Sequence, residues 1–254
     1  MKKFLVLALS VLFSVVGAEN IKSSIGACHM YFASDQEEQT IPYVTEGLYA
    51  MWDGEWNSGI GIHTDIPTMI VDLVGDSHMT VTGTRNNYGP DYFAPNSIYG
   101  GRIRNEDTTV VKDAIEANDC TIEFCMTIQN CSNGALIFDT TGNSSTRLYS
   151  LGNYILCWSQ MRGNLTNLTG EDLFSSGTSH TIALRIGGEY SALYIDGICR
   201  IRPINVGTKV IEPSLEFGYN SSGLYRYHSV RVSRALSDEE IMFNHLIDKA
   251  RFGF

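Results

Sequence analysis

Between Arg147 and Arg162 the chain interleaves Tyr149, Asn153, Tyr154, Trp158 and Gln160, and a second such mixture follows at Tyr219, Asn220, Tyr225 and Tyr227. Sugars present apolar C–H faces that stack on aromatic rings, and hydroxyls that seek planar amides and carboxylates. The mixture is therefore the chemistry of a carbohydrate-binding face, with Tyr149, Tyr154, Trp158, Asn220, Tyr225 and Tyr227 as candidate ligand contacts. A strand period of two sets Tyr154, Leu156, Trp158 and Gln160 on one face and Ile155, Cys157 and Ser159 on the other. One of these faces must be core, and an inward Trp158 would be packing rather than ligand contact.

A second chemical possibility lies between Ser58 and Gly83, where Gly59, Gly61, His63, Asp65, Asp72, Gly75, Asp76 and His78 cluster. Glycine-rich loops with short carboxylates can wrap a hard cation, so Asp72 and Asp76 are candidate ligands for Ca2+. The same residues also serve as plain turn formers, and no Asp-x-Asp-x-Asp-Gly loop is present. Hydrolytic chemistry finds less support. A glycosidase strand would carry two carboxylates as Glu-x-Asp-x-x-Glu, which is missing. Glu37 with Glu38 and Glu239 with Glu240 are adjacent pairs that point apart, and Glu123 has no evident partner. Neither Gly-x-Ser-x-Gly nor His-Glu-x-x-His occurs. His63 lies near Asp65, a spacing that chance supplies readily.

These residues have to be placed by strands. Candidates run Tyr43–Trp52, His78–Thr84, Ser97–Ile103, Cys120–Gln129, Ala135–Asp139, Leu148–Met161, His180–Ile186, Tyr190–Asp196, Cys199–Pro203, Ser214–Tyr219 and Tyr225–Val232, divided by Gly, Asn, Ser and Pro clusters. Many short strands with such punctuation predict an all-β antiparallel sandwich. Gly187-Gly188 and Asp196-Gly197 are hairpin signals, and 110–117 holds at most a helical turn. In the last strand, strict alternation puts Tyr227, Ser229, Arg231 and Ser233 on one side and His228, Val230, Val232 and Arg234 on the other. Ser237 with Glu240 forms a capping box, and Asp238 and Glu239 complement the helix dipole, so a short C-terminal α-helix follows.

The run Ser229–Ile241 (SVRVSRALSDEEI), continued by Asn244 and Asp248–Phe252, resembles the C-terminal signature of bacterial laminin-G-like, concanavalin A-like lectin/glucanase domains. Three further segments are similar in order. Gly47–Gly54 matches the opening strand. Val71–Gly75 matches an Asp-Leu-Ser-Gly loop, with Val71 where Trp is common. Ser191–Gly197 matches a late strand and Asp-Gly turn. The resemblance spans Glu46–Phe254 and implies a jelly-roll sandwich. It also implies a non-catalytic glycan-binding or adhesion role, with calcium bound in loops of some members. One scaffold hosts many activities, so a glycan-processing hydrolase or lyase and a purely structural protein–protein adhesion module remain as alternatives.

Lys2 and Lys3, the apolar run Phe4–Val16 and the small residues Gly17-Ala18 predict a signal peptide over 1–18. An N-terminal extension follows over 19–45, then the laminin-G-like sandwich over 46–254. The expected product is exported, to a periplasm, the cell surface or the medium, without membrane insertion. With 28 acidic against 18 basic residues and a formal charge of −10, the surface discourages nucleic acid and suits neutral sugars, glycoconjugates or cations, and allows a protein partner. The six cysteines, Cys28, Cys120, Cys125, Cys131, Cys157 and Cys199, leave pairing open, except that Cys120 and Cys125 fall on opposite faces of one strand. Asn130, Asn143, Asn164, Asn167 and Asn220 head Asn-x-Ser/Thr sequons and read as polar turns if unglycosylated.

Overall fold

Residues 119–128, DCTIEFCMTI, alternate apolar and polar side chains, and in the computed structural model this segment is the central strand on which one sheet is built. The structure describes residues 40–83, 86–95, 102–105, 109–129, 135–140, 146–151, 154–159, 163–167, 177–187, 191–202, 215–217 and 225–254, with 135–167 described as backbone course and register. The strands belong to one unit, Ile41–Phe254.

The first sheet runs β14 (Ile198–Ile201), β13 (Ala192–Ile195), β12 (Ser179–Gly187), β7 (Asp119–Ile128), β16 (Tyr225–Ser233), β5 (Tyr92–Ala94) and β4 (Asn87–Gly89). β1 (Leu48–Asp53) also pairs with β16. The second runs β11 (Gly163–Asn167), β10 (Tyr154–Ser159), β9 (Thr146–Leu151), β8 (Ala135–Thr140), β15 (Leu215–Phe217), β6 (Arg102–Asn105), β3 (Met79–Thr82) and β2 (Met69–Ile70). All pairings between these strands are antiparallel, so the chain is an all-β sandwich. Two helices accompany it among the described residues, α1 (Thr109–Glu116) and α2 (Asp238–Phe252), and no described helix is long and apolar enough to cross a membrane.

Inward positions of both sheets meet at Phe217, whose ring packs edge-on against Trp52, Phe93, Phe124 and Tyr227 at 5.4–6.5 Å. Around it lie Ile122, Met126, Ile182, Leu184, Val230 and Val232 of the first sheet and Ile70, Met79 and Ile103 of the second. Strict alternation fails at one point in β16. Tyr227 faces Met126 and Ser229 faces Cys125, so His228 is an extra residue, a β-bulge. The bulge puts Tyr225 and Tyr227 on the same inner side as Val230 and Val232, correcting the simple period of two. Asp196 (φ 53°) and Gly197 (φ 73°) form the expected tight turn. A side chain at Gly197 would meet Met242 Sδ of α2 at 2.7 Å.

The outer face of the first sheet is polar, with Thr121 and Glu123 on β7, Thr181 and Arg185 on β12, and Ser229, Arg231 and Ser233 on β16, all buried. What buries it is α2. Its capping box is fully formed: Ser237 Oγ accepts from Glu240 N, and Glu240 Oε2 accepts from Ser237 N. Gly253 closes it in the left-handed region. Ile241, Asn244, His245 and Asp248 are its buried residues, the i, i+3, i+4, i+7 stripe of one helix face. Arg231 Nη1 and Nη2 each donate to Asp248 at 2.7 Å. Tyr43, Ser229 and Thr181 hydroxyls add bonds to the same carboxylate at 2.8, 3.2 and 3.2 Å. Arg231 Nε and Asn244 Nδ2 both donate to Glu123 Oε2. Tyr43 and Val44, at the end of the expected N-terminal extension, are part of this seal, Val44 N donating to Asn244 Oδ1.

Burial opposes the Arg231 charge, but Asp248 and Glu123 outweigh it and hold its pKa well above the ordinary guanidinium value. Burial pushes the Glu123 pKa up despite Arg231, and its Oε1 has no hydrogen-bond partner. Removing one member of a buried ion pair strands the other. Asp248→Ala is therefore expected to cost about 3–5 kcal/mol, and the double replacement Arg231→Met with Asp248→Leu to cost less than that single change. Urea unfolding followed by tryptophan fluorescence reads both. Equal losses in the two proteins would show that the ion pair is not what joins helix to sheet.

Candidate functional site

The Gly- and Asp-rich loop is spent on itself. Asp72 is buried, its Oδ1 accepting from Met51 N (2.9 Å) and Val74 N (3.0 Å) and its Oδ2 from Ser77 N (3.1 Å). Asp53 Oδ1 likewise accepts from Glu55 N and Trp56 N, and Asn57 fastens Thr64 through both amide atoms. Such carboxylates satisfy backbone donors that the loop would otherwise bury unpaired. Asp76 is exposed. No group of three His, Cys, Asp or Glu side chains that could hold a metal occurs among the described residues. Asp72 thus clamps the loop.

Two regions gather polar and aromatic residues. The first lies where the β16 bulge meets the turn between β4 and β5. A side chain at Gly54 would come within 2.4 Å of Tyr92 Cα, so loop and turn touch backbone to backbone. Trp56, Arg251, Phe252, His228, Tyr92 and Arg226 follow one another in contact. Arg251 lies over Trp56 (4.3 Å) and Phe252 (4.8 Å), His228 stands 5.0 Å from Phe252 and 6.3 Å from Tyr92, and Arg226 covers Tyr92 at 4.5 Å. Arg251 also pairs with Asp53 and Glu55; burial lowers its pKa, but Tyr43, Asp53 and Glu55 together hold it above the ordinary value. His228 Nδ1 faces the Asp91 carbonyl at 3.0 Å and the Asp91 carboxylate at 3.3 Å. His228 Nε2 lies 2.7 Å from Thr127 Oγ1, itself 2.6 Å from Ser179 Oγ. The sequence carries no signal for this group, since its members come from the loop after β1, the turn into β5, the strands β7, β12 and β16, and the end of α2.

The second region is the outer face of the second sheet. One register row crosses all eight strands as Met69, Thr80, Arg104, Glu216, Asp139, Arg147, Trp158 and Asn164. Exposed Met69 and Thr80 mark this row as outward, and the alternate row carries buried Ile103 and Phe217 with Phe138, Leu148 and Cys157. Trp158 therefore falls on the face opposite Phe217. Tyr149 pairs with Leu156 and Tyr154 with Leu151, positions that share its face. The expected single strand Leu148–Met161 is the hairpin β9–β10, and folding back is what brings Tyr149 beside Tyr154 and Trp158.

The remaining candidates separate from these. Tyr225 and Tyr227 are 2% and 0% exposed and belong to the core, where the bulge sends them, so they offer no ring to a ligand. Asn220 lies outside the described residues. Glu123 shares a face with Thr121 and Cys125 as the alternation predicts, but that face is sealed by α2 and is not a binding surface. Cys120, Cys125 and Cys199 carry free thiols; Cys28 and Cys131 and the Cys157 side chain lie outside what is described. Burial raises the Cys120 and Cys125 pKa values.

No protein-family model and no curated protein matches the chain. Among solved structures it is similar to Trypanosoma rangeli sialidase in complex with sialic acid, at 14% identity and TM-score 0.57, over 79% of this chain and 33% of that one. It is similar to botulinum neurotoxin type C, in a structure titled for cell entry dependent on two ganglioside molecules, at 12% identity and TM-score 0.61, over 80% and 51%. It is also similar to the binding domain of botulinum neurotoxin DC in complex with rat synaptotagmin II, at 12% identity and TM-score 0.60, over 80% and 52%. The chain thus spans a third to a half of the chains it matches, and the likeness is one of fold.

Burial lowers the His228 and His245 pKa values, against the pull of Asp91 on the first and of Asp196 and Asp248 on the second. The unfolded chain then binds these protons more readily than the folded one. Their contribution to stability is complete above about pH 6.5 and is lost as pH falls below it. Glu123 and Asp53, raised by burial, act in the opposite direction and are unchanged by histidine replacement. The fall in melting temperature between pH 7.5 and 5.5 is expected to be smaller in His228→Gln and in His245→Gln than in the parent. Parallel pH profiles in all three proteins would contradict this.

Proposed function

We propose that the chain is an exported, laminin-G-like module that binds carbohydrate or glycoconjugate on the outer face of its second sheet, around the β9–β10 hairpin. The observation that carries this reading is the register that gathers Tyr149, Tyr154 and Trp158 on one face. Arg147, Asp139, Glu216 and Asn164 stand in the same cross-strand row as Trp158. Aromatic positions supply flat apolar area for sugar C–H faces, and the flanking guanidinium, carboxylates and amide supply donors and acceptors that orient hydroxyls. A sheet holds such positions at fixed spacing before the ligand arrives, which limits the ordering cost of binding. The acidic balance of the chain favours a neutral ligand over a polyanion. Proteins that share this fold over part of their length, one solved with sialic acid and one with cell entry dependent on ganglioside, support a glycan-related role. Another, solved with synaptotagmin II, keeps a protein among the partners to be tried.

A glycan array probed with the full chain is expected to give discrete positives. Trp158→Ala is expected to weaken the best of them by roughly thirtyfold, the loss of one central aromatic anchor at about 2 kcal/mol, with an unchanged melting temperature. Silence across the array, or binding indifferent to both Trp158→Ala and Tyr154→Ala, would sink this reading.

A further inference from the structure

The group at the β16 bulge has a direction that its distances fix. Both atoms facing His228 Nδ1, the Asp91 carbonyl oxygen at 3.0 Å and carboxylate Oδ2 at 3.3 Å, can only accept. Nδ1 therefore carries the hydrogen, and in the neutral ring Nε2 is left with its lone pair. Thr127 Oγ1, 2.7 Å away, donates to it, and Ser179 Oγ donates in turn to Thr127 Oγ1 at 2.6 Å. Burial keeps the imidazole neutral near pH 7 by lowering its pKa. The ring is held from its sides by Phe252 and Tyr92. Thr127 and Ser179 are themselves partly exposed, unlike the neighbouring Thr121, Glu123 and Thr181 beneath α2. Arg226 pairs directly with Thr127 across β16 and β7, just as Ser179 does from β12, so hydroxyls and a guanidinium share one row.

From this arrangement we infer that the Asp91–His228–Thr127 line is an acyl-transfer site that hydrolyses carboxylic esters. Asp91 orients the ring, His228 Nε2 is the base, and Thr127 Oγ1 is the nucleophile. As Thr127 Oγ1 bonds to the acyl carbon, its proton passes to Nε2. Breakage of the ester C–O bond returns that proton to the departing alkoxide, leaving an acyl-threonine and an alcohol. Water then adds to the acyl carbon, giving a proton to Nε2, and Thr127 leaves and takes that proton back. The sum is ester plus water to acid plus alcohol, with no oxidant or reductant. Ser179, whose one hydrogen goes to Thr127 Oγ1, holds the nucleophile in place, and Arg226, the cross-strand neighbour of Thr127, is the cation assigned to the oxygen on which negative charge develops. The substrate class that follows, O-acyl esters carried on sugars, rests on the glycan-binding reading; the ester chemistry itself does not.

The test uses the full chain and p-nitrophenyl acetate, which contains no sugar. Release of p-nitrophenol is expected above the buffer rate at pH 7.5, and to fall by about 10²–10⁴-fold in His228→Gln and in Thr127→Val, with melting transitions retained. A fluorophosphonate probe is expected to leave its adduct on Thr127, located by peptide mass spectrometry. Thr127→Val exchanges a hydroxyl for a methyl of equal size, so it remains readable if His228→Gln does not fold. Rates equal to buffer, rates unchanged in either variant, or an adduct found only elsewhere would overturn the site. Hydrolysis of the chromogenic ester without release of acetate from O-acetylated glycans would retain the site and reject the sugar ester. A failed array with a positive ester assay would reject the binding face alone.

Discussion

One carboxylate joins the two layers that matter most for access. Asp248 receives two bonds from Arg231 and hydroxyl bonds from Tyr43, Ser229 and Thr181, which ties α2 to β16, β12 and the segment that leads into β1. A polar sheet face so lined could not be covered by an apolar helix without stranding an ion, and could not be left open without losing the helix. Arg231 faces two carboxylates, so the group carries an excess of negative charge, and its softest member is Glu123. Burial raises the Glu123 pKa, and the orphaned Oε1 is the atom at which that excess is least well compensated. A buried network satisfied everywhere except at one atom specifies how helix and sheet fit while contributing less stability than its bond count suggests.

That seal decides which surfaces remain for function. It withdraws Glu123, Cys125 and Thr181 from solvent and leaves two other places where polar and aromatic residues gather. One is the end of the same sheet, at the last turn of α2, where Phe252 lies against His228. The other is the opposite side of the sandwich, where no described helix packs in the way α2 covers the first sheet. Binding and ester chemistry are therefore assigned to different faces, and neither assignment borrows residues from the other.

Those features set by local pattern were legible in the sequence. The alternation in β7, the Asp196-Gly197 turn and the Ser237/Glu240 cap depend on neighbours within a few residues, and each occurs as expected. The features that escaped depend on a partner far along the chain. Glu123 shows as a carboxylate on a polar strand face, and only the return of α2 more than a hundred residues later makes it a buried ligand of Arg231 and Asn244. Asp72 shows as a short carboxylate in a glycine-rich loop, and only the fold turns the N–H groups of Met51, Val74 and Ser77 toward it. The face on which Trp158 lies could be decided only by counting register across from Phe217, because alternation separates two faces without saying which is inside.

The bulge at His228 is the most consequential of the features that pattern alone did not reveal. Counting back from Val230 in steps of two places His228 with the core and Tyr227 outside; counting forward from Tyr225 places Tyr227 inside and His228 outside. Both counts cannot hold on a regular strand, and the extra residue between Tyr227 and Ser229 reconciles them. The apolar demand comes from both ends at once, since Tyr225 and Tyr227 pack together and Val230 and Val232 complete the same core. What yields is the polar residue between them. Turned outward, its imidazole meets Thr127 on one side and Asp91 on the other. The polar line at the sheet's end is thus a consequence of how the aromatic core closes, and shortening β16 by its bulged residue would break both together.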